Sequence, residues 1–117
     1  MRILVSFEPA YHAYQGVIAA SIQVLRPHTE VETTTPETLG ETIERLDPEI
    51  VICNRPNTVD PNGRVAWVEL SLDSIRPSKI CLGGRHVEST NPTLEVLLRV
   101  IDEVEEVIST DNHPEDC

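Results

Sequence analysis

Apolar residues are spaced in two different ways along the first half of the chain. Continuous apolar runs at residues 2–7 and 50–53 predict strands that are buried on both faces. Between them, apolar residues recur at steps of three and four over residues 13–26, and a similar spacing continues after a proline over residues 36–47. Both segments are predicted to be helices that pack on a sheet. The polar segment 29–35 is typical of an edge strand.

The pattern changes after the second buried strand. Residues 55–64 contain two prolines, a glycine and two asparagines and almost no apolar residues, which predicts a loop. A parallel crossover requires a dozen or more residues, so the strand predicted at residues 65–72 is expected to run antiparallel to its predecessor. Another short turn leads to a strand at residues 79–84. Asn91 then caps a long amphipathic helix that continues to about Ser109.

These elements predict one α/β domain over residues 1–109. Its expected architecture has three layers: a mostly parallel central sheet of about five strands, with the fourth strand antiparallel, and helices that include a C-terminal one. A chain of 117 residues has the length of one ordinary domain. The polar residues 110–117 are predicted to form a flexible tail.

Composition and charge exclude several classes of partner. The chain has 9 Lys and Arg residues against 20 Asp and Glu residues, a formal net charge of −11. This charge opposes binding to nucleic acid and to an anionic membrane surface, because both need cations on the protein. There is no apolar run of the roughly eighteen residues that a membrane helix needs, and the N-terminal residues lack the design of a signal peptide. The sequence therefore predicts a cytoplasmic protein.

The cysteines indicate no metal or disulfide framework. Cys53, Cys81 and Cys117 are odd in number and have no CxxC spacing. Cys53 and Cys81 lie inside apolar segments and are expected to behave as small hydrophobic residues. No histidine pair has the spacing of a metal site on a helix. No metal and no cofactor is predicted.

Three stretches of the sequence resemble a known family. The opening "RILVSFEP", the segment "LDPEIVICN" and the last amphipathic helix resemble the receiver domains of bacterial response regulators, which have a flavodoxin-like fold. In that family an acidic pair after the first strand binds Mg²⁺, and an aspartate that ends the third strand accepts a phosphoryl group. Here Ser6 and Phe7 stand where the pair is expected, which leaves only Glu8, and Asn54 stands at the acceptor position.

These replacements change what the resemblance implies. An amide cannot form an acyl phosphate, and a single carboxylate is a poor Mg²⁺ ligand set. The family's lysine follows the fifth strand, whereas Lys79 precedes the corresponding strand here. The resemblance therefore implies a receiver-like regulatory domain that is not phosphorylated.

Positive charge is concentrated in one part of the chain. Residues 54–87 contain five basic and three acidic residues, a formal charge of +2, whereas the remainder carries −13. Open α/β sheets bind ligands beyond the carboxyl ends of their strands. The polar residues that follow the ends of predicted strands are candidates for a small-anion site: Glu8, Asn54, Arg55, Arg85 and His86. Arg55 and Arg85 could hold a carboxylate or phosphate. Alternatively, these arginines pair with the chain's own carboxylates.

Other chemistry has weaker support. The chain has neither a GxGxxG motif nor a P-loop, and the pair Gly83–Gly84 could approach an anion or form only a turn. No serine or cysteine stands in a recognisable nucleophile motif, so no catalytic residue is assigned and enzymatic activity is not favoured.

The last helix carries a second apolar row. Val96, Val100 and Val107 widen its apolar arc beyond what one sheet face needs, so they predict a homodimer interface unless the first helix covers them. The sequence thus favours a non-catalytic, receiver-like regulatory or protein-interaction domain that forms a homodimer. The alternative is a binding protein or enzyme for a small anionic ligand held around Asn54, Arg55 and Arg85.

Overall fold

A six-stranded mixed sheet forms the centre of the molecule. The computed structural model describes residues 1–55, 66–71, 76–83, 85–90 and 93–109. The strands are β1 (Arg2–Ser6), β2 (Glu30–Thr34), β3 (Ile50–Cys53), β4 (Ala66–Glu69), β5 (Ser78–Leu82) and β6 (Arg85–Ser89). The helices are α1 (His12–Leu25), α2 (Leu39–Leu46) and α3 (Leu94–Ser109), and 3₁₀ turns at Pro9–Tyr11 and Pro36–Thr38 precede the first two.

The strands are ordered β2-β1-β3-β4-β5-β6 across the sheet. β2, β1, β3 and β4 are parallel to one another, whereas β5 is antiparallel to β4 and β6 is antiparallel to β5. The prediction of an α/β domain with a largely parallel sheet and a C-terminal helix is confirmed in outline. The sheet has six strands, however, rather than about five.

The direction predicted for the fourth strand is wrong. β4 pairs in parallel with β3, with Ile50 opposite Ala66 and Cys53 opposite Glu69. Twelve residues, 54–65, separate the two strands, which is the minimum length for a parallel crossover. The prediction counted only the ten residues 55–64 as the connection and therefore took it to be too short for a parallel crossover. The antiparallel reversal occurs one strand later, at β5.

The sixth strand was not predicted. Leu82 at the end of β5 pairs with Arg85 at the start of β6, so only two residues lie between the paired strands. Gly83, the first of these, has a φ of 56°, a value that glycine adopts without the steric cost of a side chain. β6 lacked a periodic signal because Val87 is its only large apolar residue.

The helices cover the two faces of the sheet unequally. α1 and α3 pack on one face, where strand residues such as Ile52 and Val68 join Ile22 and Ile101 in the larger core cluster. α2 packs on the other face, where Leu39 and Ile43 contact a smaller cluster. The buried strand residues of that cluster are Leu4, Val51, Cys53 and Trp67. The three-layer arrangement follows from strands that are apolar on both faces.

The second apolar row of α3 is largely part of this core. Val100 is 7% exposed and belongs to the larger cluster, so it cannot form a dimer interface. Val96 is partly buried and packs against the same cluster, and Val107 is half-buried. Val96 and Val100 are covered because α1 and α3 share one core on the same face of the sheet.

The cysteines differ from one another. Cys53 is a buried free thiol, as expected for a small hydrophobic residue. Cys81 is buried too, but it is disulfide-bonded, which the expectation of no disulfide did not anticipate. The spacing of the cysteines in the sequence gave no signal for this bond.

Some predictions fall outside the described residues. They concern the loop around residues 56–65, the cap at residues 91–92, the contact at Gly84 and the tail at 110–117. Among the helices that the structure describes, none has the length and apolar content needed to cross a membrane.

Candidate functional site

The carboxyl ends of the parallel strands deliver polar residues to one edge of the sheet. Glu8 follows β1, Asn54 follows β3 and Ser71 follows β4. β5 runs in the opposite direction and therefore begins at this same edge, which brings in Arg76 and Lys79. Crevices at this edge are the usual ligand sites of open α/β sheets.

The backbone around Glu8 and Asn54 is held by short hydrogen bonds. The buried side chain of Gln15 in α1 accepts a hydrogen bond from the N–H of Phe7 at 2.7 Å, which fixes the turn that carries Glu8. Beyond β3, the Trp67 indole N–H donates to the carbonyl oxygen of Arg55 at 3.0 Å, and the Cys53 thiol donates to the same oxygen at 3.2 Å. Both turns are therefore anchored to buried side chains.

Three of the predicted site residues lie together. Glu8, Asn54 and Arg55 share the carboxyl edge, and the Arg55 guanidinium donates to a carboxylate oxygen of Glu8 at 2.7 Å. Both side chains of this pair remain about half exposed. The contact ties the end of β1 to the end of β3.

Arg85 and His86 lie at the opposite edge, so their predicted place beside Asn54 is wrong. Strand pairing puts Arg85 in one row with Leu82, Ala66, Ile50 and Ile3, near the start of β1. The prediction assumed that the strand before Arg85 runs parallel to β3, and the reversal of β5 moves its end to the other edge.

The two arginines cannot hold one ligand together. Arg55 pairs with Glu8, and Arg85 lies 3.6 Å from a carboxylate oxygen of Glu103 on α3. His86 Nε2 lies 3.9 Å from the Cys81 sulfur. The alternative considered from the sequence, that these arginines pair with the chain's own carboxylates, describes both of them.

A cleft of about 410 Å³ opens at the carboxyl edge. It is lined by Glu8, Tyr11, Asn54, Glu69, Leu70, Ser71, Arg76, Pro77 and Lys79. A smaller cleft of about 350 Å³ adjoins Glu8 and Arg55 and extends towards Pro36 and Glu37. Since Glu8 lines both clefts, the Glu8–Arg55 pair stands at their common border.

The cations of the larger cleft differ from the arginines predicted from the sequence. Arg76 and Lys79 are exposed, and within the described part of the chain neither has a carboxylate oxygen within 4.0 Å. Of the acids in the lining, Glu8 is already paired with Arg55. Among the described residues, the cleft therefore presents two cations without an acidic partner, in a protein of net charge −11.

One residue of the cleft lining, Asn54, carries a buried polar atom. Within the part of the chain that the structure describes, Asn54 Oδ1 is buried and has no hydrogen-bond partner, and the buried Ser6 Oγ on β1 has none either. A buried acceptor without a donor costs roughly 1–3 kcal/mol, so a ligand N–H or O–H that reached Asn54 would recover that cost. An amide oxygen beside two cations suits a ligand that has both an anionic group and a hydrogen-bond donor.

Cys53 is a buried free thiol that directly precedes Asn54 in the chain. Burial raises the pKa of its thiol to about 11, more than hydrogen bonding to Arg55 lowers it. A thiol with this pKa stays protonated at neutral pH and is a poor nucleophile. Within the described residues, no group of three His, Cys, Asp or Glu side chains could hold a metal ion.

The sequence contained signals for Arg76 and Lys79 that the site prediction did not use. Both belong to the positively charged segment 54–87, but they precede a strand instead of following one. Only the antiparallel direction of β5 places the start of that strand at the ligand edge.

Searches against family models, curated proteins and solved structures found no match to this chain.

Proposed function

We propose that the chain is a non-catalytic regulatory domain that binds a small organic anion in the cleft at the carboxyl edge. Arg76 and Lys79 hold the anionic group, and Asn54 Oδ1 accepts a hydrogen bond from a donor on the same ligand. One observation carries the proposal: two cations without an acidic partner in the described residues stand beside a buried, unpaired amide oxygen.

The receiver-like comparison supports a regulatory role of this kind. The order of the first four strands, β2-β1-β3-β4, is the order that a flavodoxin-like sheet has, although β5 runs in the opposite direction from such a sheet. In the comparison, Asn54 takes the place of the phosphoryl acceptor. Ligand occupancy at Asn54 then replaces phosphorylation as the signal.

A chemical test follows from the composition of the chain. Lys79 is its only lysine, so an amine-acylating reagent has two targets, Lys79 and the α-amino group of Met1. The probes are phosphate, malonate and succinate, with malonamide and succinamide as uncharged controls. We expect an anion that binds the cleft to slow acylation of Lys79 while leaving Met1 unaffected, as measured by peptide mass spectrometry.

Thermal unfolding supplies an independent measurement on the same probes. A ligand present at one hundred times its dissociation constant adds about 2.7 kcal/mol to stability, which is a shift of several degrees. The double variant Arg76→Gln, Lys79→Gln should lose that shift. The matched control Arg85→Gln removes an arginine at the opposite edge and should keep it. An equal shift in the double variant, or no protection of Lys79 by any anion, would refute the cleft as the binding site.

A further inference from the structure

Helix α1 has an unusual outer surface. Its 14 residues include no Asp, Glu, Lys or Arg, although a quarter of the chain is charged. Only Gln15, Ile18 and Ile22 are buried against the sheet. The exposed side of the helix consists mostly of small and apolar residues: Ala13, Tyr14, Gly16, Val17, Ala20, Val24 and Leu25.

The exposure of this surface is large for apolar side chains. Val17 is 64% exposed and Val24 is 75% exposed, higher than any other large apolar side chain in the described residues. Folding of one chain leaves these side chains in water, because α1 already buries its opposite face. A helix that is apolar on all sides is normally buried on all sides. The outer face of α1 therefore indicates a surface that another molecule covers.

We propose that a second copy of this chain covers it, with the two α1 helices packed antiparallel about a twofold axis. In a dimer of this kind each residue faces a fixed counterpart on the other copy. With the axis beside the middle of α1, Val17 of one copy faces Ala20 of the other, and Val24 faces Ala13. Gly16 then faces Ser21.

This register matches large residues to small ones. A shallow apolar groove of about 330 Å³ runs between Ala20, Ser21, Val24 and Leu25. In the proposed register, Val17 of the other copy enters this groove, and the symmetric contact fills the second groove. Gly16 leaves open space, since a Cβ added there would meet nothing within 4 Å. When two copies of this face pack antiparallel, large side chains of one copy therefore meet small side chains of the other.

The lack of charge on α1 argues against a basic partner at this face, because the helix has no Asp or Glu for such a partner to pair with. Each copy carries a formal charge of −11, so two copies can approach only where like charges are absent from the contact. Two acids of α3 pair with residues that follow α1: Asp102 with Arg26 at 2.8 Å, and Glu105 with His28. A basic partner would instead bind the acidic surfaces elsewhere. The antiparallel arrangement also aligns the two helix dipoles favourably.

The surface is one helix face, which is smaller than the roughly 800 Å² per partner of a standard interface. We therefore expect a reversible dimer with a dissociation constant on the order of micromolar. Sedimentation velocity of the wild-type chain from low to high micromolar concentration should show a change from monomer to dimer. A wild type that stays monomeric throughout that range overturns the proposal.

Substitutions separate this face from other exposed apolar residues. Val17→Glu puts a carboxylate into the contact and should give a monomer, because the partner's groove is apolar. Val87→Glu changes another exposed apolar residue, on β6, and should dimerise like the wild type. Circular dichroism and thermal unfolding at low concentration check that both variants fold. A Val17→Glu chain that still dimerises, or a loss of the dimer in Val87→Glu, contradicts the proposal.

A charge pair tests the antiparallel register. Ala20→Lys alone should also weaken the dimer, but mixed with Val17→Glu it should form a heterodimer, because residues 17 and 20 face each other. Ala13→Lys mixed with Val17→Glu is the matched control and should give no such recovery, since residue 13 faces Val24. If Val17→Glu forms a heterodimer with Ala13→Lys and not with Ala20→Lys, this register is ruled out.

Discussion

Buried hydroxyl groups on the α2 side of the sheet differ in whether they have partners. Ser6 Oγ on β1 is buried and has no hydrogen-bond partner among the described residues. Thr42 on α2 is also buried, but its hydroxyl donates to the carbonyl oxygen of Thr38 at 2.8 Å and lies 3.0 Å from the Thr34 hydroxyl. Removing a paired group loses a hydrogen bond, whereas removing an unpaired one relieves a desolvation cost.

We therefore expect opposite effects from two substitutions. Ser6→Ala should leave the free energy of unfolding unchanged or raise it by up to about 1 kcal/mol, because no hydrogen bond is lost. Thr42→Val keeps the side-chain shape but loses the hydrogen bond, so it should lower the free energy of unfolding by about 1 kcal/mol. Urea unfolding followed by the fluorescence of Trp67, the only tryptophan, measures both. A larger loss in Ser6→Ala than in Thr42→Val would mean that the Ser6 hydroxyl has a role in stability.

For single residues, the sequence predicted which ones lie at strand ends better than it predicted which residues they contact. Asn54 and Arg55 follow the buried run at residues 50–53, and that run alone places them at a strand end. The partner of Arg55 is Glu8, which lies 47 positions earlier in the chain. Such a contact depends on β1 and β3 being neighbours, which no local pattern encodes.

Among the elements, the hairpin of β5 and β6 shows how a short signal can be missed. The Gly–Gly pair between two short segments is a known hairpin signal, but the second segment has little apolar content. Paired backbone groups define β6 more than its side chains do, since Arg85 to Glu88 are all exposed. Periodicity therefore could not reveal this strand.

Two glycines in different elements should respond oppositely to alanine. Gly83 has a positive φ, where an alanine side chain costs roughly 1–2 kcal/mol. Gly16 lies inside α1 with open space around it, so Gly16→Ala should stabilise the folded monomer by roughly 1 kcal/mol. Thermal unfolding at low micromolar concentration, where the proposed dimer contributes least, measures both variants. Destabilisation of similar size in the two would show that backbone conformation is not the cause.

The amphipathic helices were predicted well as elements, but their outer surfaces were not. The sequence favoured α3 as an association surface because of its second apolar row. In the structure Val100 of that row is buried, while Val17 and Val24 of α1 are exposed. Both helices are apolar over a wide arc, so which arc remains in water depends on how the two helices pack beside each other on one sheet face.

For the whole molecule, an ion pair links α1 to α3. The guanidinium of Arg26, just after α1, makes two hydrogen bonds of 2.8 Å to the carboxylate of Asp102 on α3. This hydrogen bonding lowers the pKa of Asp102 from its ordinary value of 3.8. The stabilisation is therefore present above that ordinary value and is lost as the pH falls through the lowered pKa of the folded state.

Asp102→Asn should consequently destabilise the protein at neutral pH and have less effect in acid. The difference in melting temperature between wild type and variant is expected to narrow as the pH falls below about 3.8, because the wild-type carboxylate becomes protonated. Glu44→Gln is the control: Glu44 is exposed on α2 and has no ion pair among the described residues. A difference that stays constant with pH would exclude Asp102 ionisation as its source.

By itself the sequence determined the class of fold and most of its elements. The buried runs that became β1 and β3 and the helical spacing of α1, α2 and α3 are consequences of local side-chain periodicity. Tertiary structure alone decided the direction of β4 and β5, and with it the edge that carries each charged residue. It placed Arg76 and Lys79 beside Asn54 and moved Arg85 away. Strand direction is set by chain crossover and by contacts between distant segments, and a local pattern of apolar residues is the same whichever way a strand runs.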